Sequence, residues 1–238
     1  MFKQFCSTVA VAFSVLVAPV VHADASTALK SAMDAQAKTF AVTHKAAEAN
    51  DPVAQFNLGV LYEKGAGVTE DLAMARIWYQ KAADQNEGKA QFNLAVMHLQ
   101  GEGGPKEPVA AAKLFKAAAE KGDAASMANL AVLYDSGNGV AKDPKMAFKW
   151  ALKAAEAGNV PAQVNVASML RTGRGCERDF IKAAAWYLKA AEAGNGVAQE
   201  RIGYMYSVGQ GVPRDAAEAA RWTGFAKDAG VRITSFTE

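Results

Sequence analysis

Residues 54–83 read AQFNLGVLYEKGAGVTEDLAMARIWYQKAA, and this stretch decides the fold because its pattern recurs along the chain. A step of 36 residues carries its first leucine onto one aliphatic column: Leu58, Leu94, Leu130, Val166 and Ile202. The same step carries its first glycine onto another: Gly65, Gly101, Gly137, Gly173 and Gly209. Five copies fit without an insertion. A period of this length with helical composition predicts a solenoid of helix pairs.

Each copy contains the signals of two helices, called helix A and helix B below. Asp51, followed by a proline, is a typical start for helix A, and Ala54, Leu58 and Tyr62 share one face of that helix. The Gly-x-Gly-Val loop that begins at Gly65 predicts left-handed backbone and ends helix A. Helix B carries a column of large side chains that we expect to be buried: Trp78, Leu114, Trp150, Trp186 and Trp222.

The sequence predicts four segments. Residues 1–23 have the pattern of a signal peptide, with an apolar run shorter than the ~20 residues that cross a bilayer and small residues ahead of a cleavage point after Ala23. Residues 24–50 predict an N-terminal capping helix, because their end matches the end of helix B. Residues 51–230 hold the five repeats, and residues 231–238 form a C-terminal tail.

Composition excludes several classes of function. The chain has 238 residues, 51% of them hydrophobic and 21% charged, so it is long and apolar enough to bury a core. A net charge of +2 is too small to indicate nucleic-acid binding.

After removal of the signal peptide we expect a periplasmic or secreted monomer without a transmembrane anchor. Of the two cysteines, only Cys176 then remains, so no internal disulfide is expected.

The motifs at residues 54–62, 65–68 and 78–83 resemble the Sel1-like repeat, a relative of the tetratricopeptide repeat, and the resemblance covers residues 50–230. It implies an all-α fold: a right-handed α-solenoid of helix-turn-helix repeats, with A helices lining the concave face and a role in binding proteins or peptides. Secreted relatives include host-interaction factors, envelope regulators and immunity proteins against toxins. Several are cysteine-rich, with a disulfide in each repeat that this sequence lacks.

The sequence has no motif for catalysis or metal binding, so we predict a protein that is not an enzyme and needs no metal or cofactor. His98 falls in a column of tyrosines, which favours a packed core histidine over a metal ligand. Cys176 falls in the valine column of the loops, which favours an apolar plug; a disulfide to a partner or a redox-sensitive thiol is the alternative. The cysteine-rich relatives suggest a less favoured alternative, a hydrolase of cell-wall material or β-lactams.

Helical geometry turns a second set of helix A positions toward the concave groove. Asparagine amides in this set either pair with the main chain of an extended peptide or bond the adjacent helix and space the repeats. The aromatic and aliphatic side chains beside them indicate an interaction surface. The predicted groove residues are Phe56, Asn57, Val60, Phe92, Asn93, Val96, Asn129, Asn165, Arg201 and Tyr204.

Charge is distributed unevenly along the chain. Residues 24–140 carry a net charge of −3, whereas residues 141–238 carry +4. Four basic residues surround one loop: Arg171, Arg174, Arg178 and Lys182. They predict either a basic edge that faces an acidic partner or an anionic glycan, or a plainly solvated edge.

These observations predict a non-catalytic scaffold or adaptor of the bacterial cell envelope that binds a protein or peptide in the concave groove. The alternative is a secreted host-interaction factor or a toxin-neutralising immunity protein. The fold does not choose between these functions.

Overall fold

A computed structural model describes the backbone of residues 18–232 and the side chains of residues 25–232. The predicted signal peptide therefore lies mostly outside the described residues, as does the end of the tail. Within residues 18–232 every regular element is an α-helix, which confirms the all-α prediction. The helices are α1 (Ala18–Glu48), α2 (Pro52–Lys64), α3 (Leu72–Asp84), α4 (Gly88–Gln100), α5 (Pro108–Glu120), α6 (Ala124–Ser136), α7 (Pro144–Glu156), α8 (Val160–Thr172), α9 (Phe180–Glu192), α10 (Gly196–Val208) and α11 (Ala216–Asp228).

The chain divides into two compact units, Met1–Ala82 and Ala83–Glu238, near the end of α3. In the first unit, α1 packs on α2, which is helix A of repeat 1. The second unit contains repeats 2 to 5, whose A helices are α4, α6, α8 and α10. Each of these A helices packs on the B helix that follows it, and α5, α7 and α9 also pack on the next A helix. Repeats 2 to 5 therefore bury their apolar surfaces against one another in sequence order.

Side-chain caps form at most helix starts, including the start predicted at Asp51. Side-chain oxygens of Asp51, Asp123, Asn159 and Asn195 accept hydrogen bonds from backbone N–H groups in the first turns of A helices. Asp71, Asp143, Asp179 and Asp215 do the same for B helices. Glu107, ahead of α5, makes no such bond. Its Oε2 instead lies 2.7 Å from Nδ1 of His98.

Large apolar columns form the core. The aliphatic column that starts at Leu58 is buried in every repeat. In the tryptophan column, Trp78, Trp150 and Trp222 are buried as predicted. The other two members, Leu114 and Trp186, are only half-buried, so the prediction of a uniformly buried column is wrong there. Trp186 is more exposed because it lines an open cavity beside a loop.

One side-chain hydrogen bond recurs where a B helix ends and the next A helix begins. In the second unit, Nε2 of a helix A glutamine donates to the carbonyl oxygen of an alanine eight residues earlier: Gln91 to Ala83 at 3.4 Å, Gln163 to Ala155 at 3.3 Å and Gln199 to Ala191 at 3.2 Å. In the first unit, Gln55 makes the same bond to Ala47 at 3.3 Å. Each of these carbonyls also accepts a backbone N–H from three residues later, so the glutamine uses the second acceptor position of a carbonyl near a helix end.

In the loops of repeats 3 to 5, the second glycine lies against the first turn of the preceding B helix. In the second unit the pairs are Gly139 on Pro108, Gly175 on Pro144 and Gly211 on Phe180. All three glycines have positive φ, and a Cβ at any of them would overlap the carbonyl oxygen of its partner. In the first unit Gly67 meets Gln36 in the same way, so α1 from Gln36 onward takes the place of a B helix.

Gly175 and Gly158 provide a matched test of this contact. Gly158 has φ +88° and no atom within 4 Å of an added Cβ, so Gly158→Ala should cost about 1 kcal/mol of unfolding free energy for left-handed backbone alone. Gly175 has φ +74° and abuts Pro144, so Gly175→Ala should cost about 3 kcal/mol or more. Urea unfolding followed by circular dichroism measures both. Equal losses would contradict the role given to the contact.

Trp150→Ala tests the core. Trp150 is 6% exposed, and removing its ring should leave a cavity and cost about 3–5 kcal/mol. Trp186→Ala is the control, because this half-buried ring should cost clearly less. Urea unfolding of both variants gives the comparison. A loss below about 1 kcal/mol for Trp150→Ala would show that the column is not core.

Candidate functional site

The A-helix face is the surface on which successive A helices carry the predicted groove residues. In the second unit it comprises Phe92, Asn93, Val96, Asn129, Val132, Asn165, Arg201 and Tyr204. All are half-buried except Val132, whose side chain is 56% exposed. Phe56, Asn57 and Val60 occupy the corresponding positions on α2 in the first unit.

The aromatic residues offer less free surface than the sequence predicts. In the second unit the ring of Phe92 packs edge-to-face on Phe115 of helix B, with centroids 5.7 Å apart. In the first unit Phe56 packs on Tyr79 at the same distance. Both phenylalanines are half-buried. Part of each ring therefore stabilises its own repeat, and the remainder faces solvent.

The asparagines do not bond the adjacent repeat. Asn129 Nδ2 donates to the carbonyl oxygen of Ala125 in its own helix at 3.0 Å. Asn165 Oδ1 accepts from Nη2 of Arg174 in its own repeat at 3.3 Å. The side-chain amide of Asn93 makes no hydrogen bond to the described part of its own unit. Asn165 nevertheless supports a bridge between repeats, because its partner Arg174 also contacts Asp135 of repeat 3. Asn93 is available to a ligand.

A cavity of about 210 Å³ opens on the A-helix face between α6 and α8. This feature, the Ala128 pocket, has walls formed by Ala128, Val132, Asp135, Ala151, Pro161 and Asn165. The wall is largely apolar, while Asp135 and Asn165 supply polar atoms. None of the alanines was a predicted site residue.

Three of the four basic residues around the loop that follows α8 have separate partners. Arg174 reaches toward α6, where its Nη1 lies 3.0 Å from Asp135 Oδ2. Arg178 instead lies over the ring of Phe180, 5.2 Å from its centroid. Lys182 Nζ lies 3.0 Å from Asp179 Oδ2. The backbone N–H and the side chain of Lys182 lower the pKa of that carboxyl.

A second cavity, of about 450 Å³, lies beside the loop that follows α8. Phe148 and Leu152 of α7 and Trp186 of α9 form its apolar wall, and residues 176–179 form its loop side. Cys176 is half-buried there, and its Sγ lies 3.7 Å from the carbonyl oxygen of Arg174. Burial raises the pKa of the Cys176 thiol. It packs against the core as Val140 and Val212 do in their loops.

His98 is buried at 7% exposure and pairs with Glu107, a single carboxylate. Among the described residues, no three His, Cys, Asp or Glu side chains come together in a way that could hold a metal ion. None of the described helices combines the length and the apolar character that a membrane span requires.

These repeats identify the protein class as an all-α helical-repeat scaffold. The chain belongs to the Sel1 repeat family, whose model matches five consecutive segments: residues 52–87, 88–123, 124–159, 160–195 and 196–231. Such repeats build extended surfaces, which is consistent with a role in protein interaction.

Solved structures agree with this assignment. A Sel1 repeat protein from Oxalobacter formigenes is 32% identical, with a TM-score of 0.79 over 87% of this chain and 84% of that one. A protective antigen of uropathogenic Escherichia coli is 37% identical, with a TM-score of 0.78 over 80% of this chain; the match spans only 41% of that antigen. An immunity protein from Pseudomonas aeruginosa, 24% identical at a TM-score of 0.52 over 80% of this chain and 72% of that one, shares the fold alone. Among curated proteins none matches this sequence.

The environment of Cys176 predicts an unreactive thiol. Because burial raises the pKa of Cys176, a smaller fraction of the thiol is ionised than in a free cysteine at the same pH, and the thiolate is the nucleophile. We expect iodoacetamide to modify the native protein several-fold more slowly than the urea-unfolded protein. Cys176→Val, which restores the valine of the other loops, should leave stability within about 0.5 kcal/mol. A disulfide-linked dimer on non-reducing gels that Cys176→Val abolishes would contradict the plug interpretation.

Proposed function

We propose that this protein is a non-catalytic scaffold of the bacterial cell envelope, which acts as a monomer and binds an extended segment of a partner protein on its A-helix face. Export to the periplasm or beyond is part of the proposal and rests on the sequence of residues 1–23 alone. Membership of the Sel1 repeat family supports the scaffold role.

The observation that carries the proposal is the Ala128 pocket together with the amides beside it. An extended peptide needs hydrogen-bond partners for its main chain, and an amide supplies both a donor and an acceptor. Asn129 uses its donor within α6, which leaves its Oδ1 for a peptide N–H. Asn93 is available in full within its unit. The pocket adds a place for one apolar side chain.

The number of contacts limits the expected affinity. Each amide contact contributes about 1 kcal/mol net, and a buried aliphatic side chain about 2 kcal/mol. Together these contacts are worth about 4 to 5 kcal/mol, which corresponds to a dissociation constant of about 0.2–1 mM even before the cost of ordering the peptide. Tighter binding would need contacts beyond the pocket.

A secreted host-interaction factor is the second candidate. It is favoured by the 37% identity to the Escherichia coli protein, which is a protective antigen. A toxin-neutralising role draws only on the shared fold of the Pseudomonas immunity protein. Both alternatives would still use a binding surface, and the identity of the partner separates them from an envelope adaptor.

Site-directed photo-crosslinking in cells tests the face. A benzoyl-phenylalanine at position 132, where the native valine is 56% exposed, should yield a specific adduct with the partner. The matched control is position 109 on α5, where the native valine is 57% exposed on a B helix. Asn93→Ala should reduce the adduct formed at position 132, whereas Lys113→Ala on α5 should not. Adducts of equal yield from both positions would overturn the proposal.

A further inference from the structure

The Ala128 pocket lies where repeat 3 has alanine at two positions that carry larger side chains in the neighbouring repeats. Stepping by 36 residues aligns Phe92, Ala128 and Val164 on the A helices, and Phe115, Ala151 and Tyr187 on the B helices. In repeat 2 both positions are phenylalanine, and the two rings pack together. In repeat 3 both positions are alanine, and the space appears as the cavity between α6 and α8.

The size and lining of this cavity define what fits in it. Its volume is about 210 Å³, and a cavity of about 150 Å³ lined by aliphatic side chains accommodates benzene. A leucine, methionine or phenylalanine side chain therefore fits. Val132 stands at the wall with over half of its surface exposed, and covering it with an apolar group would remove that surface from water.

Charge beside the pocket favours an anion. Arg174 joins α6 and α8 through Asp135 and Asn165, yet its side chain remains 44% exposed. Those bonds use two of the five N–H donors of its guanidinium group. Arg171, three residues earlier on α8, forms no ion pair with a described residue, and its buried Nε has no hydrogen-bond acceptor. The N–H donors of Arg174 that its two bonds leave free are therefore the cationic groups that the structure shows beside the pocket.

We propose that the Ala128 pocket holds one leucine-, methionine- or phenylalanine-sized side chain of an extended peptide, with an aspartate or glutamate within two residues of it bound by Arg174. The proposal rests on the proposed function of the A-helix face and adds the chemical class of its ligand. The acidic side chain takes the free edge of the guanidinium while Asp135 continues to hold Arg174 in place.

A random library of 12-residue peptides displayed on phage tests this ligand class. Selection on the purified protein should enrich sequences in which leucine, methionine or phenylalanine lies within two residues of aspartate or glutamate. Selection on Val109→Phe, which adds an aromatic ring to an exposed B-helix site, should enrich the same sequences. Enrichment of basic residues beside the apolar one would overturn the assignment of Arg174.

Fluorescence anisotropy with a selected peptide then locates the anchor. Ala128→Phe should fill the pocket as Phe92 does in repeat 2 and weaken binding at least tenfold. Replacing the apolar anchor of the peptide by alanine should weaken binding to the native protein by a similar factor. The same peptide change should have little further effect on Ala128→Phe, because the two changes remove one interaction.

Two further variants separate folding from binding and charge from shape. Val132→Lys alters an exposed wall of the pocket and should weaken binding at least tenfold while the helical circular dichroism and melting temperature stay unchanged. Arg174→Gln should remove the preference for an acidic residue in the peptide and reduce the salt dependence of peptide binding. The preference for an apolar anchor in the peptide should remain.

The outcomes distinguish this proposal from the broader one. Selected peptides that bind Ala128→Phe and Val132→Lys as tightly as the native protein, but lose affinity with Asn93→Ala, would overturn the pocket and leave the A-helix face as the binding surface. Failure of the native protein to enrich any peptide over the bare support would overturn the pocket. If photo-crosslinking at position 132 also fails, the proposed function is overturned with it.

Discussion

The contact between the second loop glycine and the first carbonyl of the preceding B helix sets the register of the repeats. At Gly139, Gly175 and Gly211 the backbone approaches so closely that no side chain fits, and positive φ is required there as well. The contact ties the loops of repeats 3 to 5 to the start of the previous B helix. Because successive helix pairs meet in the same way, the buried apolar residues and the glutamine hydrogen bonds recur every 36 residues.

Because the register is constant, a change of side chain in one repeat alters the local surface. When the backbone repeats every 36 residues, a change of side chain in one column is not absorbed by a shift of the helices but left as a local difference in the surface. Two alanines at Ala128 and Ala151 therefore leave a pocket in repeat 3, where Phe92 and Phe115 fill the equivalent space in repeat 2. The repeats provide a uniform support, and departures from the repeat provide the site.

On the A-helix face, the side chains have partners that the sequence did not indicate. The asparagine row and the aromatic residues were identified from helical geometry, and their positions on the A helices follow from it. The contacts of these side chains do not follow from helical geometry. Phe92 packs on helix B of its own repeat, Asn129 bonds its own helix, and Asn165 bonds Arg174. The A-helix face consequently offers less free aromatic surface than a row of equivalent positions suggests.

The sequence by itself determined the number of repeats, the two helices of each repeat, most of their caps and the buried aliphatic column. These features depend on local backbone preferences, such as that of Asp123 for a helix start, and on a strict period of apolar residues, such as Leu130. Even the alanines of repeat 3 are visible as gaps in two columns. Only the tertiary structure decided that both gaps open into one cavity and that Arg174 reaches Asp135, 39 residues away, rather than joining Arg178 and Lys182. The direction of a long side chain depends on which partner lies within its reach, and that is a property of packed helices rather than of spacing along the chain.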